Sequence, residues 1–258
     1  MNYSNYHTHS RLCDGKDSLE ELVQKAVELG CPEIGFSGHS YTAFDEGYCM
    51  SVEQYREYMD EISRLREVYG GRISILAGIE QDYYSDEIPE GLDYVIGSVH
   101  YVLKDGRYLS VDLSEEDFCS SVREHYDGDY LAFAEDYYRV MGDIYNKTHC
   151  DIIGHFDLIT KFNEGNRLFD THDERYVRAV MSALDAIDES LAGNAESGEG
   201  PGTVLFEINT GAMARGYRTE AYPSDAIVAE LFRRGHQLML NSDCHNKEQL
   251  LFGFDKYI

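Results

Sequence analysis

The sequence predicts an α/β fold, a barrel of parallel strands whose chemistry gathers at one end. Short apolar runs alternate with longer amphipathic segments along the whole chain, the pattern of strand–helix units laid into a parallel sheet. The length, 258 residues, is typical of such a barrel; no linker, charge block or internal repeat divides it, so residues 1–258 read as one domain. Residue types that bind metal ions recur where the apolar runs end.

The elements follow in order. A short first strand leads into Tyr6-His7-Thr8-His9-Ser10. Ser18-Leu-Glu-Glu21 is a capping-box pattern that opens a helix through Leu29, stopped by Gly30. Glu33 to His39 is the second strand, and Ser51-Val-Glu-Gln54 opens a longer helix ending near Gly70-Gly71. The third strand, Ile73 to Ile79, finishes at Glu80, and the fourth, Tyr94 to Val99, finishes at His100. A long helical stretch is expected next, in two pieces broken near Asp127-Gly128. Asp151 to His155 is the fifth strand, and a helix covers roughly 173–191. Gly193 to Gly202, rich in Gly, Glu and Ser, reads as a surface loop. Val204 to Asn209 is the sixth strand, Ser224 caps a helix ending at Gly235, and Gln237 to Asn241 is the seventh strand.

Composition narrows the partners. With 22 Lys and Arg against 48 Asp and Glu, the net charge of −26 repels polyanions, which disfavours nucleic acid and anionic membranes while leaving room for a small molecule carrying an amine. The six cysteines show no paired spacing and read as reduced thiols. With no leader pattern and no apolar run of membrane length, the expectation is a cytoplasmic protein.

In an extended chain residues two apart share a face, so His7 and His9 converge on one point, and Asp243 and His245 repeat the arrangement at the other end of the sequence. His39, Glu80, His100 and His155 end the intervening strands. In a parallel barrel all C-terminal strand ends lie on one face. Six of the ten histidines fall at these points; His125, His149, His172 and His236 lie in helices or connections and read as structural or surface residues. With Asp14, the candidate ligands are His7, His9, Asp14, His39, Glu80, His100, His155, Asp243 and His245. That is too many for one ion, so two to three divalent ions are expected, and imidazole–carboxylate ligands suit Zn, Mn or Fe. Glu80, the one Glu in the set, could bridge a pair of ions. Alternation turns Cys244 away from the point on which Asp243 and His245 converge.

These stretches resemble the polymerase and histidinol phosphatase (PHP) superfamily of metal-dependent phosphoesterases. The resemblance runs from Tyr6 to His245 and rests on His7-Thr-His9, Asp14-Gly15, Gly38-His39, Gly78-Ile-Glu80, Gly97-Ser-Val-His100, Ile153-Gly-His155 and Ser242-Asp-Cys-His245. Gly97-Ser-Val-His-Tyr101, His155-Phe-Asp-Leu158 and Glu207-Ile-Asn-Thr210 with Tyr222-Pro-Ser224 are most similar to the histidinol-phosphate phosphatases of histidine biosynthesis. The resemblance implies a distorted (β/α)7, TIM-like barrel with a trinuclear centre: one ion on His7, His9, Glu80 and Asp243, a second on Glu80, His100 and His155, a third on Asp14, His39 and His245. It implies hydrolysis of a small phosphate ester by a metal-bridging hydroxide, with Glu80, Asp243 and His245 at the catalytic centre.

Arg215 and Lys161 are candidates to neutralise the phosphate, and Glu207 to pair with Lys161 or bind a substrate amine; Glu207 and Asp157 are candidates for an anionic pocket wall. Gly211-Ala-Met-Ala-Arg215 and Lys161 depart from the family pattern, which expects a Ser-Gly-Leu-Arg-like stretch and an arginine. The competing activity is that of a nuclease or nucleotide phosphoesterase, and the acidic chain argues against a polymeric substrate.

Overall fold

The computed structural model describes residues 3–85, 88–197 and 203–257. Its strands are β1 (Glu33–Phe36), β2 (Ser74–Asp82), β3 (Tyr94–Ser98), β4 (Tyr101–Lys104), β5 (Arg107–Ser110), β6 (Ile152–Ile153), β7 (Leu205–Asn209) and β8 (Gln237–Asn241). Its helices are α1 (Leu19–Glu28), α2 (Val52–Tyr69), α3 (Glu115–His125), α4 (Tyr130–Gly142), α5 (Ile144–Thr148), α6 (Glu174–Ser197), α7 (Gly211–Ala214) and α8 (Asp225–Arg234). Six strands form a curled parallel sheet in the order β1-β2-β3-β6-β7-β8.

Residues 5–9 span the gap between β8 and β1, where the first strand was expected. They pair there through single residues and form no ladder: Asn5 bridges Ile34, and Thr8 bridges Cys244. The Asn5 side chain adds bonds of its own at this seam. Its amide donates to Ser242 Oγ at 2.8 Å and Leu250 O at 3.1 Å, and its oxygen accepts from Ser242 N at 3.1 Å. Backbone bonds still join the segment on both sides, from Gly35 N to Asn5 O at 2.8 Å, Ser37 N to Thr8 O at 3.1 Å and His9 N to Cys244 O at 2.9 Å, and the Asn5 side chain reinforces them where the barrel is distorted.

Two further expectations change. The stretch after His100 begins as a hairpin of β4 and β5, turned at Asp105 (φ 50°) and Gly106 (φ 75°). Two consecutive left-handed residues are what a tight hairpin turn with the twist of its strands requires, and Asp-Gly supplies them. The helices follow, with α3 and α4 separated at Asp127-Gly128 as expected. Helix α6 continues through Ser197, so the start of the expected 193–202 loop is helical; 198–202 lie outside the described residues.

Both capping boxes form. Ser18 Oγ accepts from Glu21 N while a Glu21 carboxylate oxygen accepts from Ser18 N, and Ser51 pairs likewise with Gln54, whose amide oxygen accepts from Ser51 N. The caps start α1 and α2 where their apolar faces (Leu22, Val23, Ile62, Leu65) cover β1 and β2. On the other side, Phe133, Tyr137, Leu184 and Ile187 of α4 and α6 pack toward Ile153 and Phe206. Under the site Tyr94 closes the barrel, its hydroxyl in reach of the carbonyls of Tyr6 and Phe36. Gly35 and Gly78 leave space for it: a Cβ at Gly35 would lie 2.4 Å from its hydroxyl oxygen and one at Gly78 2.2 Å from its ring. All six cysteines are free thiols. No helix among the described residues is long and apolar enough to cross a membrane.

Candidate metal centre

All nine ligand candidates meet at the C-terminal ends of the parallel strands. Glu80, near the end of β2 and 1% exposed, is the hub. Its Oε2 lies 3.1 Å from His7 Nε2, 3.4 Å from His9 Nε2 and 2.9 Å from His39 Nδ1. Its Oε1 lies 2.9 Å from His155 Nε2 and 3.3 Å from His100 Nε2. Asp243 Oδ1 stands 3.7 Å from His7 Nε2 and 3.2 Å from His9 Nε2. Asp14 completes the cluster, 3.6 Å from His39 Nε2 and 3.2 Å from His245 Nε2. Three sets of donors each fall within 4.8 Å of one another: His7, His9 and Asp243; His39, Glu80 and His100; and His9, Asp14, His39 and His245. Asp243 adopts a left-handed backbone (φ 47°), which Asp tolerates better than most residues and which turns the chain beyond β8 into the site.

Carboxylates behind the imidazoles set their orientation. Glu207 takes His7 Nδ1 at 2.8 Å, and Asp82 takes His100 Nδ1 at 3.2 Å and His100 N at 2.9 Å. A ring that donates Nδ1–H backwards aims its Nε2 lone pair forwards. The buried His7 Nε2, His9 Nε2 and Glu80 Oε2 have no hydrogen-bond partner. Lone pairs thus face lone pairs, which a shared cation resolves.

The titration directions agree. Burial alone would push the Glu80 carboxyl up, but His7, His39 and His100 hold it well below the usual carboxylate range. Burial opposes ionisation of Asp243 too, and Arg215 and His7 overcome it. Burial depresses His7 and His100, yet Glu207 and Glu80 around the first and Glu80 and Asp82 around the second raise both well above the ordinary imidazole value. His9 goes the other way: burial, His245 and His39 push it to about 3, leaving a neutral ring. The carboxylates demand positive charge, and divalent ions can replace the protons that would otherwise supply it. The donor set fits such ions, and its size and shared Glu80 suit a multinuclear centre.

The cluster floors a cavity of about 480 Å³. Arg215 reaches it, but its guanidinium also donates to Asp243 O and Oδ2, each at 2.9 Å. Gly211 makes that approach possible: a Cβ there would lie 2.8 Å from Asp243 Oδ2 and 2.9 Å from the guanidinium. Lys161 also lines the cavity, and Asp112, not Glu207, is its partner, at 3.2 Å. The expectation for Glu207 is corrected: it is fully buried beneath His7 and does not line the cavity, so it cannot touch substrate. Asp157, also fully buried, accepts from Ser224 N at 3.0 Å and is no wall. The acidic wall is made by Asp45 and Asp112, with Tyr48, Tyr101 and Tyr217 beside them. Sequence reasoning missed all five because they lie on loops and on the hairpin it read as helix. Of the histidines left out of the site, His172 is exposed, and His236 packs on Phe206 and pairs with Asp188.

A curled parallel α/β barrel with a buried imidazole–carboxylate floor at its C-terminal strand ends defines a class: barrel proteins built to hold several divalent ions. The PHP domain model matches residues 5–192, and the chain belongs to the PHP domain family. A Schizosaccharomyces pombe protein named "Probable histidinol-phosphatase" is 29% identical over 265 residues, covering 95% of this chain and 81% of its own length. The solved structure of hisK from Listeria monocytogenes superposes with a TM-score of 0.80 at 20% identity, over 99% of this chain and 100% of that one. Histidinol phosphate phosphatase from Lactococcus lactis, solved with Zn, L-histidinol and phosphate, gives a TM-score of 0.64 at 20% identity, over 99% of this chain and 91% of its own.

Proposed function

We propose that this chain is a metal-dependent phosphomonoesterase that hydrolyses L-histidinol phosphate to L-histidinol and phosphate, a step of histidine biosynthesis. The observation that carries the reading is Glu80, whose two oxygens join separate groups of imidazoles at the floor of a cavity that also holds Arg215 and Lys161. The relatives' names supply the alcohol. His7, His9, Glu80 and Asp243 would hold one ion, Glu80, His100 and His155 a second, and Asp14, His39 and His245 a third. Bound divalent ions lower the pKa of water and neutralise phosphate oxygens, the two requirements of phosphoester hydrolysis.

The chain's own residues do the rest. Glu207 and Asp82 fix the tautomers of His7 and His100. Arg215 holds Asp243 in place and presents a fork of donors to the phosphate as charge shifts onto its oxygens. Lys161, steadied by Asp112, adds a point charge at the wall. We read residues 1–258 as a single barrel domain, because β7 and β8, which deliver Asp243 and His245 beyond the span matched by the family model, continue the same sheet. The net charge of −26 supports a small metabolite over nucleic acid or a membrane surface, and a biosynthetic substrate supports a cytoplasmic reading.

Phosphate release by metal-loaded enzyme from L-histidinol phosphate, an aryl phosphate and a phosphodiester tests the reading. L-histidinol phosphate should win in kcat/KM by more than roughly tenfold, the worth of one well-made interaction. Equal rates on both monoesters would assign a broader phosphoesterase, and preference for the diester would reject the monoesterase reading.

A further inference from the structure

Most carboxylates lining the cavity are engaged. Asp14, Glu80 and Asp243 face imidazoles, and Asp112 holds Lys161. Asp45 stands apart. It lies on the loop between His39 and α2, its Oδ2 accepts from the Tyr101 hydroxyl at 2.8 Å, and its Oδ1 receives only a long bond of 3.4 Å from Gly47 N. No lysine, arginine or histidine among the described residues pairs with it. It faces the same cavity as the metal floor.

Its surroundings are aromatic. The Tyr101 ring lies 6.4 Å from that of Tyr48 and meets Phe44 edge-on at 4.9 Å. Tyr48 packs edge-on against His39 at 4.8 Å, so a single ring separates this corner from the ligand floor. An uncompensated carboxylate beside tyrosine rings recognises an organic cation: the charge attracts it and the rings add to the attraction. The same carboxylate repels an anionic alcohol and gives a neutral one nothing, so it discriminates as well as binds.

We infer that Asp45, framed by Tyr48 and Tyr101, receives the cationic end of the substrate, and that the substrate class is a phosphomonoester with an amine or imidazolium a few bonds from its phosphate. The inference rests on the phosphomonoesterase reading and adds to it the residue that selects the alcohol. Phosphate anchors at the floor and the cation at Asp45, so the two charges of the substrate fix its direction in the cavity.

The test compares 2-aminoethyl phosphate with its neutral counterpart propyl phosphate, alongside L-histidinol phosphate, in metal-loaded wild type and Asp45→Asn. Wild type should favour each cationic ester over propyl phosphate by roughly ten- to a hundredfold in kcat/KM, the range of one hydrogen bond to a charged group. Asp45→Asn keeps the side-chain shape and should bring that ratio toward one, mostly through KM. Tyr101→Phe, which frees the carboxylate from its tether, should lower the ratio part of the way. A merely structural role for Asp45 would slow all esters together and leave the ratio intact, and that result overturns the inference, as does a wild type with no preference for cationic esters. If 2-aminoethyl phosphate is turned over as well as L-histidinol phosphate while the ratio still depends on Asp45, the inference stands and the histidinol assignment falls. If no monoester is hydrolysed, both fall.

Discussion

Replacing Glu207 by Gln removes one negative charge from beneath His7 and leaves the side-chain shape intact. The carboxylate has four short contacts: Oε1 with His7 Nδ1 at 2.8 Å and Asn209 Nδ2 at 2.7 Å, Oε2 with His7 Nδ1 at 3.1 Å and His155 N at 3.3 Å. Every partner is a nitrogen positioned to donate. An amide offers one oxygen and one NH2, so on one side a donor meets a donor. Hydrogen bonds to a charged group are worth about 1.5–3 kcal/mol and those to a neutral one about half as much. Losing that difference on His7 and one bond outright amounts to roughly 1.5–3 kcal/mol. The loss falls on the orientation of a metal donor, so divalent-ion affinity should drop by roughly ten- to a hundredfold. Competition with a chromophoric chelator measures it directly, with circular dichroism to confirm the fold. A folded Glu207→Gln protein that holds its ions as tightly as wild type would refute the claim that this carboxylate orients His7.

Other outcomes follow from the same geometry. Elemental analysis of active protein purified without chelator should find two to three divalent ions per chain, and one or none would end the multinuclear reading; stripping them should lower the thermal midpoint, and adding Zn or Mn should restore it. Glu80→Ala removes the carboxylate that faces five imidazoles and should cost well over tenfold in activity, whereas His172→Ala, at a ring 85% exposed, should leave activity and stability near wild type. If both variants lose the same activity, the ligand assignment is wrong. Tyr58→Phe deletes a fully buried hydroxyl within 2.8 Å of both Phe36 O and Gly78 O, so chemical denaturation should show a loss of about 1–3 kcal/mol. A loss below about 0.5 kcal/mol would mean that those carbonyls are satisfied elsewhere.

The ligand types were readable because strand periodicity and barrel geometry are local rules with a global result. Placing His39, Glu80, His100 and His155 at the ends of parallel strands is enough to bring them to one face. Depth is not local. Alternation puts Glu207 and Asn209 on one side of β7, but nothing in the sequence says that His7 covers Glu207 and shuts it away from the cavity. The true acidic wall escaped notice for the opposite reason: Asp45 and Asp112 sit in irregular segments, where no period marks a face. The β4–β5 hairpin was within reach, since Asp105-Gly106 is a turn signal with Val102-Leu103 before it and Tyr108-Leu109 after it, but helical periodicity in the following segment was extended back over it. The first strand was readable as a position; that its pairing comes down to two isolated bridges, reinforced by the Asn5 side chain, is something no propensity encodes.

That Asn5 seam has a consequence for how the protein comes into being. It joins residues 237 positions apart to Ser242, and the donors on either side of it, His7 and His9 from one strand end and Asp243 and His245 from the other, belong to the same cluster. On the ribosome His7 and His9 emerge long before Asp243 and His245, so the ions cannot be held in the finished arrangement until β8 and the residues after it have been made. Closing so long a loop carries an entropic penalty that local contacts cannot offset, and metal binding is a term that favours the closed form alone. The site is therefore also a checkpoint of assembly: a nascent chain that stalls before β8 has no finished metal site and no chemistry to misdirect.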